Sequence, residues 1–378
     1  MAKYDSNLHK EIVSLPTMVR YICSDIQKKC ETVFTADELK NFDNIVLSGC
    51  GDSLCAAYAV KECYEQLLGL HIDTPVCLDL SRHYDVRRFG EKGKTLVILI
   101  SFSGKVSRVV EAAQRARANG AITMAVTHDI ESPVAAACDK VLHVVPEEFD
   151  LHRTPGCRTY VASMTALYQF GIAMGQIIGN YDMAAADGYR QDILDYVTEF
   201  EAAMDQMDDE LFNVAVSWKP VPYFEFLSSG PEYASAWFGQ AKMYEATGDF
   251  SRYENFEDWA HVDYILRKMD SGMFLFIDKK NPAFSRAQEV ASVLTRQSYR
   301  YLVFTDADKS EFADPLKVFT VPTAKHLWLT PLMQAALPCM FAGALAHVKG
   351  TTEFCADMID SLFPFGGAIL RNSKIELH

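Results

Sequence analysis

The chain has ten cysteines (Cys23, Cys30, Cys50, Cys55, Cys63, Cys77, Cys138, Cys157, Cys339 and Cys355) but no Cys-x-x-Cys pair and no Cys/His grouping. A zinc site of ordinary spacing is therefore not expected. Several thiols lie in apolar runs, where a thiol behaves as a small hydrophobe. The expectation is a reducing, cytoplasmic setting without disulfides. No run of about 18 apolar residues occurs, so no membrane span is expected. The opening Met-Ala-Lys-Tyr-Asp lacks the apolar stretch of a signal peptide. Basic charge is also scarce: 36 Lys and Arg stand against 50 Asp and Glu, a net charge of −14. That excludes a global nucleic-acid footprint and leaves any anionic ligand to be drawn in by local groups.

What is present is a rhythm. The 378 residues exceed one average domain and fit two α/β domains. The first forty residues read as helical. Strands are then predicted at Asn44–Leu47, Thr74–Leu78, Thr95–Ser101, Ala121–Thr127 and Val141–Val145. Helices are predicted at Asp52–Leu68 and Val106–Ala118, the latter closed by Asn119-Gly120. The continuous apolar run Thr95–Ser101 reads as a strand buried on both faces of a parallel sheet. Helical patterns at Arg158–Ile178 and Asp192–Phe212 follow. The pattern then restarts, with strands at Tyr223–Leu227, Gly272–Ile277 and Tyr301–Phe304. Helices are predicted at Glu232–Ala246, Phe284–Arg296 and Thr330–Val348. The expected division is an N-terminal helical segment (1–43), a first domain (44–180), a helical bridge (181–220), a second domain (221–349) and a tail (350–378).

Ligands in parallel sheets bind at the carboxyl ends of strands. Ser101-Phe102-Ser103-Gly104 follows a buried strand and opens a helix. A helix N-terminus offers free N–H groups and a positive dipole end, which suits phosphate. Ser101, Ser103 and Ser107 add hydroxyl donors without charge, though a serine cap and a tight turn would leave the same pattern. Gly49-Cys50-Gly51-Asp52-Ser53 has the same context. Gly51 and Ser53 are phosphate candidates there, and Asp52 reads as a helix N-cap. Leu54 stands where a dinucleotide fingerprint has its third glycine, and no cofactor is expected.

These segments, with Ala121-Ile-Thr-Met-Ala-Val-Thr127, resemble the sugar isomerase (SIS) domain family over residues 44–146, and residues 221–325 resemble a second, more diverged copy. The resemblance implies two tandem SIS domains, each a parallel sheet flanked by helices in a flavodoxin-like three-layer sandwich. The arrangement is similar to the isomerase half of glucosamine-6-phosphate synthase and to stand-alone deglycases of fructosamine 6-phosphates. One departure is plain: where the family often has Ser-Gly-Glu-Thr, this chain has Ser103-Gly104-Lys105-Val106, with Ser107 one step on.

Lys242 and Glu245, three apart, share a helix face. They read either as an exposed ion pair or as a general base, Glu245, with Lys242 as a candidate for binding the sugar phosphate. Tyr233, Trp237, Tyr244 and Trp259 around them would raise a carboxylate's pKa, as a general base requires. The resemblance implies that Glu245 shuttles a proton. It further implies that His261, sixteen residues later, assists ring opening from a neighbouring subunit, and that Lys374 of Arg371-Asn372-Ser373-Lys374-Ile375-Glu376 folds over the sugar. A homodimer or higher oligomer with shared sites follows. Asp278, at the end of the strand that matches Thr95–Ser101, would repel phosphate, so one phosphate site per chain is expected.

The expected activity is deglycation of an amine-linked hexose 6-phosphate. The alternatives are aldose–ketose isomerisation, aminosugar-phosphate deamination, or sugar-phosphate sensing without catalysis. No N-terminal cysteine nucleophile is present, so glutamine is not expected as nitrogen donor. Arg153, Arg158 and Arg252 are candidates for holding the amine's own substituent.

Overall fold

A computed structural model of the chain describes residues 4–149, 154–265, 270–313, 317–351, 354–355 and 373–377. Two compact units divide it. One comprises Thr17–Phe149, Arg158–Leu194 and Ile359–His378; the other comprises Met1–Pro16, Asp150–Cys157 and Asp195–Met358. Each unit holds one five-stranded sheet, and every strand pairing is parallel.

The first sheet contains β1 (Asn44–Gly49), β2 (Ile72–Asp73), β3 (Thr95–Ile100), β4 (Ile122–Thr127) and β5 (Lys140–His143), in the order β2-β1-β3-β4-β5. β3 is buried at all six positions, as a central parallel strand covered on both faces must be. Val46, Val97, Leu99 and Ala125 of the strands pack with Val109, Ala112, Ala113 and Ala116 of the helix Ser107–Ala118. That helix ends where Gly120 takes φ +87° and Ala121 N–H returns to the Ala116 carbonyl at 3.0 Å.

The second sheet contains β6 (Tyr223–Ser228), β7 (Phe250–Asn255), β8 (Ser271–Phe276), β9 (Arg300–Thr305) and β10 (Lys317–Thr320), in the order β10-β9-β8-β6-β7. This is the first sheet's order read from the other edge. Leu227, Met273, Leu275 and Val303 pack with Ala287, Val290, Ala291 and Leu294 of the helix Phe284–Arg296. Phenylalanines stack elsewhere on this sheet, with ring centroids 4.7 Å apart for Phe226–Phe274 and 4.9 Å for Phe276–Phe304. Gly239 lets the helix Tyr233–Thr247 approach, since a Cβ there would lie 2.6 Å from Phe226.

Two expectations are corrected. Thr74–Leu78 is not a strand: β2 stops at Asp73, and Cys77–Arg82 is a helix. Pro75 has no N–H for a ladder. The helix expected over Thr330–Val348 is two, Thr330–Gln334 and Ala336–Lys349, because Pro338 cannot donate to the carbonyl four residues back. Two helical stretches, Cys157–Ile178 and Leu327–Lys349, are long and apolar enough to cross a membrane. Their apolar windows are 83% and 100% buried within the protein, as in core helices.

Candidate functional site

The strand order 2-1-3-4-5 reverses direction between β1 and β3, and such a switch point opens a crevice at the carboxyl ends of the two strands. β1 delivers Gly49, Cys50, Gly51 and Ser53 to this place; β3 delivers Ser101, Ser103 and Ser107. Gly49 is required by packing, because a Cβ would lie 2.7 Å from that of Ser53 and 2.9 Å from the Ile100 carbonyl. Gly51, at φ +58°, is the N-cap of the helix Asp52–Leu68. Asp52 is therefore its first residue and not its cap, a correction to the sequence reading. Gly104, at φ +65°, leaves no room for a side chain against Ser132. It turns the chain so that Val134 N–H bonds its carbonyl at 3.1 Å.

The donors are neutral and available. Ser101 is 3% exposed, and its hydroxyl is buried with no hydrogen-bond partner among the described residues. A buried hydroxyl left unpaired is costly, and a bound acceptor would satisfy it. Ser103 is exposed and Ser107 half-buried. Val106 caps the helix Ser107–Ala118 without any side-chain hydrogen bond, and the helix has no acidic residue in its first turn. Lys105 is exposed.

The described part of the tail packs in this same unit. Arg108 donates to the Lys374 carbonyl and, at 3.2 Å, to Ser373 Oγ. Glu376 N–H donates to Glu111 Oε2 at 2.6 Å. Glu111 also takes Arg82 at 2.9 Å and Arg108 at 2.5 Å. Burial pushes the Glu111 carboxyl up, but Arg82, the Glu376 amide, Ser81 and Arg108 outweigh it and hold it down at about 2. The tail's backbone is thus clamped one helical turn from Ser107. The Lys374 ammonium itself is 83% exposed and lies 3.3 Å from Glu376. Arg371 and Asn372, like Arg153, lie outside the described residues.

The matching edge of the second sheet is closed by its own side chains. Glu232, wholly buried, accepts from the Asp278 amide at 2.9 Å, Asn281 Nδ2 at 3.0 Å and Gln334 Nε2 at 2.6 Å. A carboxylate thus occupies the donors that an anion would need. Burial pushes Glu232 up to about 7 against these three hydrogen bonds. Asp278, 1% exposed, is pushed up to about 6, chiefly by burial and also by Asp306. The sequence reading found Asp278 and missed Glu232, whose one signal was an acid placed two residues after the Gly230 turn.

Lys242 and Glu245 lie on the helix Tyr233–Thr247. Lys242 Nζ donates to Glu245 Oε2 at 2.6 Å and sits 4.7 Å from the Phe238 ring. The lysine side chain is wholly buried and the glutamate 34% exposed. This is not an ordinary exposed i,i+3 pair. The aromatic surroundings are only partly as expected. Trp259 belongs to the core, and Tyr244 donates to the Ser251 carbonyl. Trp237 stacks on Tyr253 at 5.4 Å and Tyr233 packs on the same ring at 5.3 Å. His261 ends the helix Phe256–His261, is 69% exposed, and meets Glu257 at 2.7 Å. Val262, Tyr264 and Ile265, just beyond it, are exposed apolar residues.

Two of the loose arginine candidates have structural partners. Arg158 lies 3.4 Å from Glu147 and over the Phe149 ring; Arg252 bridges Glu225 and Asp263 at 2.5 and 2.7 Å. Among the described residues no group of three or more His, Cys, Asp or Glu could hold a metal ion.

A doubly wound sheet with a hydroxyl-lined, glycine-shaped switch point defines an α/β ligand-binding domain. The family model of the SIS domain matches residues 38–173. The strand order of the second sheet repeats that of the first. The chain is 24% identical over 356 residues to a glutamine–fructose-6-phosphate aminotransferase (isomerizing) of Thermotoga maritima, covering 92% of this chain and 57% of that protein. The chain thus spans little more than half of that relative's length. Among solved structures, the C-terminal domain of glucosamine-fructose-6-phosphate aminotransferase from Francisella tularensis superposes with a TM-score of 0.81 at 15% identity, covering 93% of this chain and 98% of that one. A glucosamine-6-phosphate deaminase from Thermotoga maritima superposes with a TM-score of 0.63 at 14% identity, covering 93% and 97%. These structures share the tandem fold.

Proposed function

We propose that the protein is an enzyme that processes a sugar phosphate, and specifically a deglycase of an amine-linked hexose 6-phosphate. The observation that carries the reading is the first switch point, where neutral hydroxyls, including the unpaired Ser101 Oγ, meet a helix N-terminus without a side-chain cap. The phosphate takes these donors. Glu245, held by Lys242 at 2.6 Å, removes a proton from the carbon beside the carbonyl or imine of the open chain and returns it to the neighbouring carbon. The double bond shifts to an imine between carbon and the amine nitrogen, and water hydrolyses it. The products are a hexose 6-phosphate and a free amine.

Aldose–ketose isomerisation or deamination would use the same base, and the names of the relatives, which include an isomerizing aminotransferase and a glucosamine-6-phosphate deaminase, favour keeping that second reading. Incubation with a panel of 6-phosphorylated fructosamines, glucosamine 6-phosphate and plain hexose 6-phosphates separates them. Hexose 6-phosphate released with an amine from a fructosamine supports deglycation. Turnover confined to glucosamine 6-phosphate or to plain hexose 6-phosphates overturns it in favour of deamination or isomerisation.

The proposal extends to assembly. His261 is exposed and is followed by the apolar Val262, Tyr264 and Ile265, which suits a surface covered by a second copy whose site it completes. Chains carrying Glu245→Ala and His261→Ala, mixed and allowed to exchange subunits, should regain activity that neither has alone. Proven heterodimers without activity would contradict shared sites.

A further inference from the structure

The helix Ser107–Ala118 carries a single carboxylate, and it faces inward. Glu111, one turn after Ser107, has a wholly buried side chain. A charge in that place is costly unless it is paired and hydrogen-bonded. Among its partners are Arg82 Nε at 2.9 Å, Arg108 Nη1 at 2.5 Å and the Glu376 backbone N–H at 2.6 Å. Two arginines already balance the charge. The third donor comes from the tail, 265 positions away. Arg108 in turn donates to the Lys374 carbonyl and, at 3.2 Å, to Ser373 Oγ. Arg82 reaches the Glu376 carboxylate at 3.7 Å.

We propose that Glu111 and Arg108 are positioning residues, a latch on the tail backbone that sets Lys374 beside a sugar phosphate held at the first switch point. The latch grips backbone atoms on both sides of Ile375: the Lys374 carbonyl and the Glu376 N–H. Neither grip uses the Lys374 side chain, whose ammonium stays 83% exposed. Backbone capture therefore fixes the course of the tail and leaves the lysine side chain to meet a ligand. Arg108 follows Ser107 directly in the first turn of the helix. The group that holds the tail and the hydroxyl offered to phosphate thus leave the same turn, and a rigid helix carries both.

The two anchors also divide the work. Glu111 is held from a second element, since Arg82 closes the helix Cys77–Arg82. The tail amide thus docks on a carboxylate whose own place is set before the tail arrives. The effect on turnover rests on the reading of the first switch point as the phosphate site and of Lys374 as a group that meets the sugar; the docking of the tail rests on neither.

The test uses the full chain and a change in the tail itself. Glu376→Pro removes the N–H that Glu111 accepts and leaves both arginines in place. Glu376→Ala keeps that N–H. The Glu376 side chain is 37% exposed, so neither change cuts into a core. Hydrogen exchange of the C-terminal peptide, read by mass spectrometry without ligand, is the first arm. The remaining tail amides should exchange faster in Glu376→Pro and in Glu111→Ala than in wild type, and at the wild-type rate in Glu376→Ala. Wild-type protection in Glu376→Pro overturns the latch whatever the substrate proves to be. Turnover, on the sugar phosphate that the substrate panel identifies, is the second arm. Glu376→Pro should lower kcat by at least roughly tenfold, as misplacement of a reacting group does, while Glu376→Ala stays close to wild type. In a Lys374→Ala background Glu376→Pro should cost no further rate, because the latch acts through that lysine. An equal loss in both backgrounds overturns the positioning role. Wild-type turnover in Lys374→Ala overturns the lysine's part in the reaction and leaves the docking of the tail standing.

Discussion

The two sheets share one strand order, and the loops at their switch points are made of opposite materials. At the first, Gly49, Gly51 and Gly104 bring backbone close and the serines add neutral donors, with Ser101 Oγ left unpaired. At the second, the donors have an internal acceptor: Glu232 takes the Asp278 amide, Asn281 and Gln334. An external anion would have to displace one buried carboxylate and approach two more, Asp278 and Asp306. One strand order thus carries neutral donors at one switch point and a buried, hydrogen-bonded carboxylate at the other. The freed helix after β6 carries a different device, the Lys242–Glu245 pair.

The largest effect expected from breaking this division of labour is on the second unit's chemistry. Glu245→Gln keeps the shape and removes the base. Turnover on a confirmed substrate should fall by at least roughly two decades, the loss expected for a positioned general base, while sugar-phosphate binding persists. Activity within a few fold of wild type would reduce Glu245 to a structural partner of Lys242.

Removing the internal anion comes next. Glu232→Ala strands three buried donors, each worth roughly 1–3 kcal/mol when left without an acceptor. The unfolding midpoint should drop clearly, and inorganic phosphate should restore more of it in the variant than in wild type. An unchanged midpoint would show that Glu232 does not hold this edge together.

The same carboxylate gives a pH signature. Glu232 at about 7 and Asp278 at about 6 lie above their ordinary values, so the native state holds these protons more tightly than the unfolded chain. Their contribution is fully present below about pH 4 and is lost as pH rises through 6 to 7. Wild-type stability should therefore decline from pH 5 to 8 relative to Glu232→Gln, by up to the order of 3 kcal/mol for Glu232 alone. Parallel pH profiles of the two proteins would contradict the assignment.

The smallest effect belongs to the open switch point's rim. Ser103→Ala removes one exposed donor to a remote phosphate. It should weaken binding about tenfold or less, with most of the rate recovered at saturating substrate. A loss of rate that saturation cannot recover would place Ser103 in the chemistry.

How much of this was legible in sequence follows from range. The helices Asp52–Leu68 and Phe284–Arg296 were read to the residue, since periodicity and turn residues are local signals. β7 and β10 were missed because edge strands with polar positions such as Arg252 and Glu254 have no apolar run. The serine turn was legible because strand, glycine and helix N-terminus are contiguous. The closure of the second edge was not, because Gln334 meets Glu232 from 102 positions away. Lys242 was named, but its complete burial was not, since the helix pattern alone leaves an i,i+3 pair free to face solvent. The tail was read by resemblance, while the Arg108–Glu111 clamp that receives it joins residues 265 apart.

The central claim, one open phosphate site per chain and that one on the first sheet, is tested most directly by titration calorimetry with a hexose 6-phosphate. The account predicts one molecule bound per chain, affinity lowered at least roughly tenfold by the Ser101→Ala/Ser103→Ala double variant, and no change with Asp278→Asn. Two molecules per chain, or an affinity that ignores the serines and responds at Asp278, would contradict it.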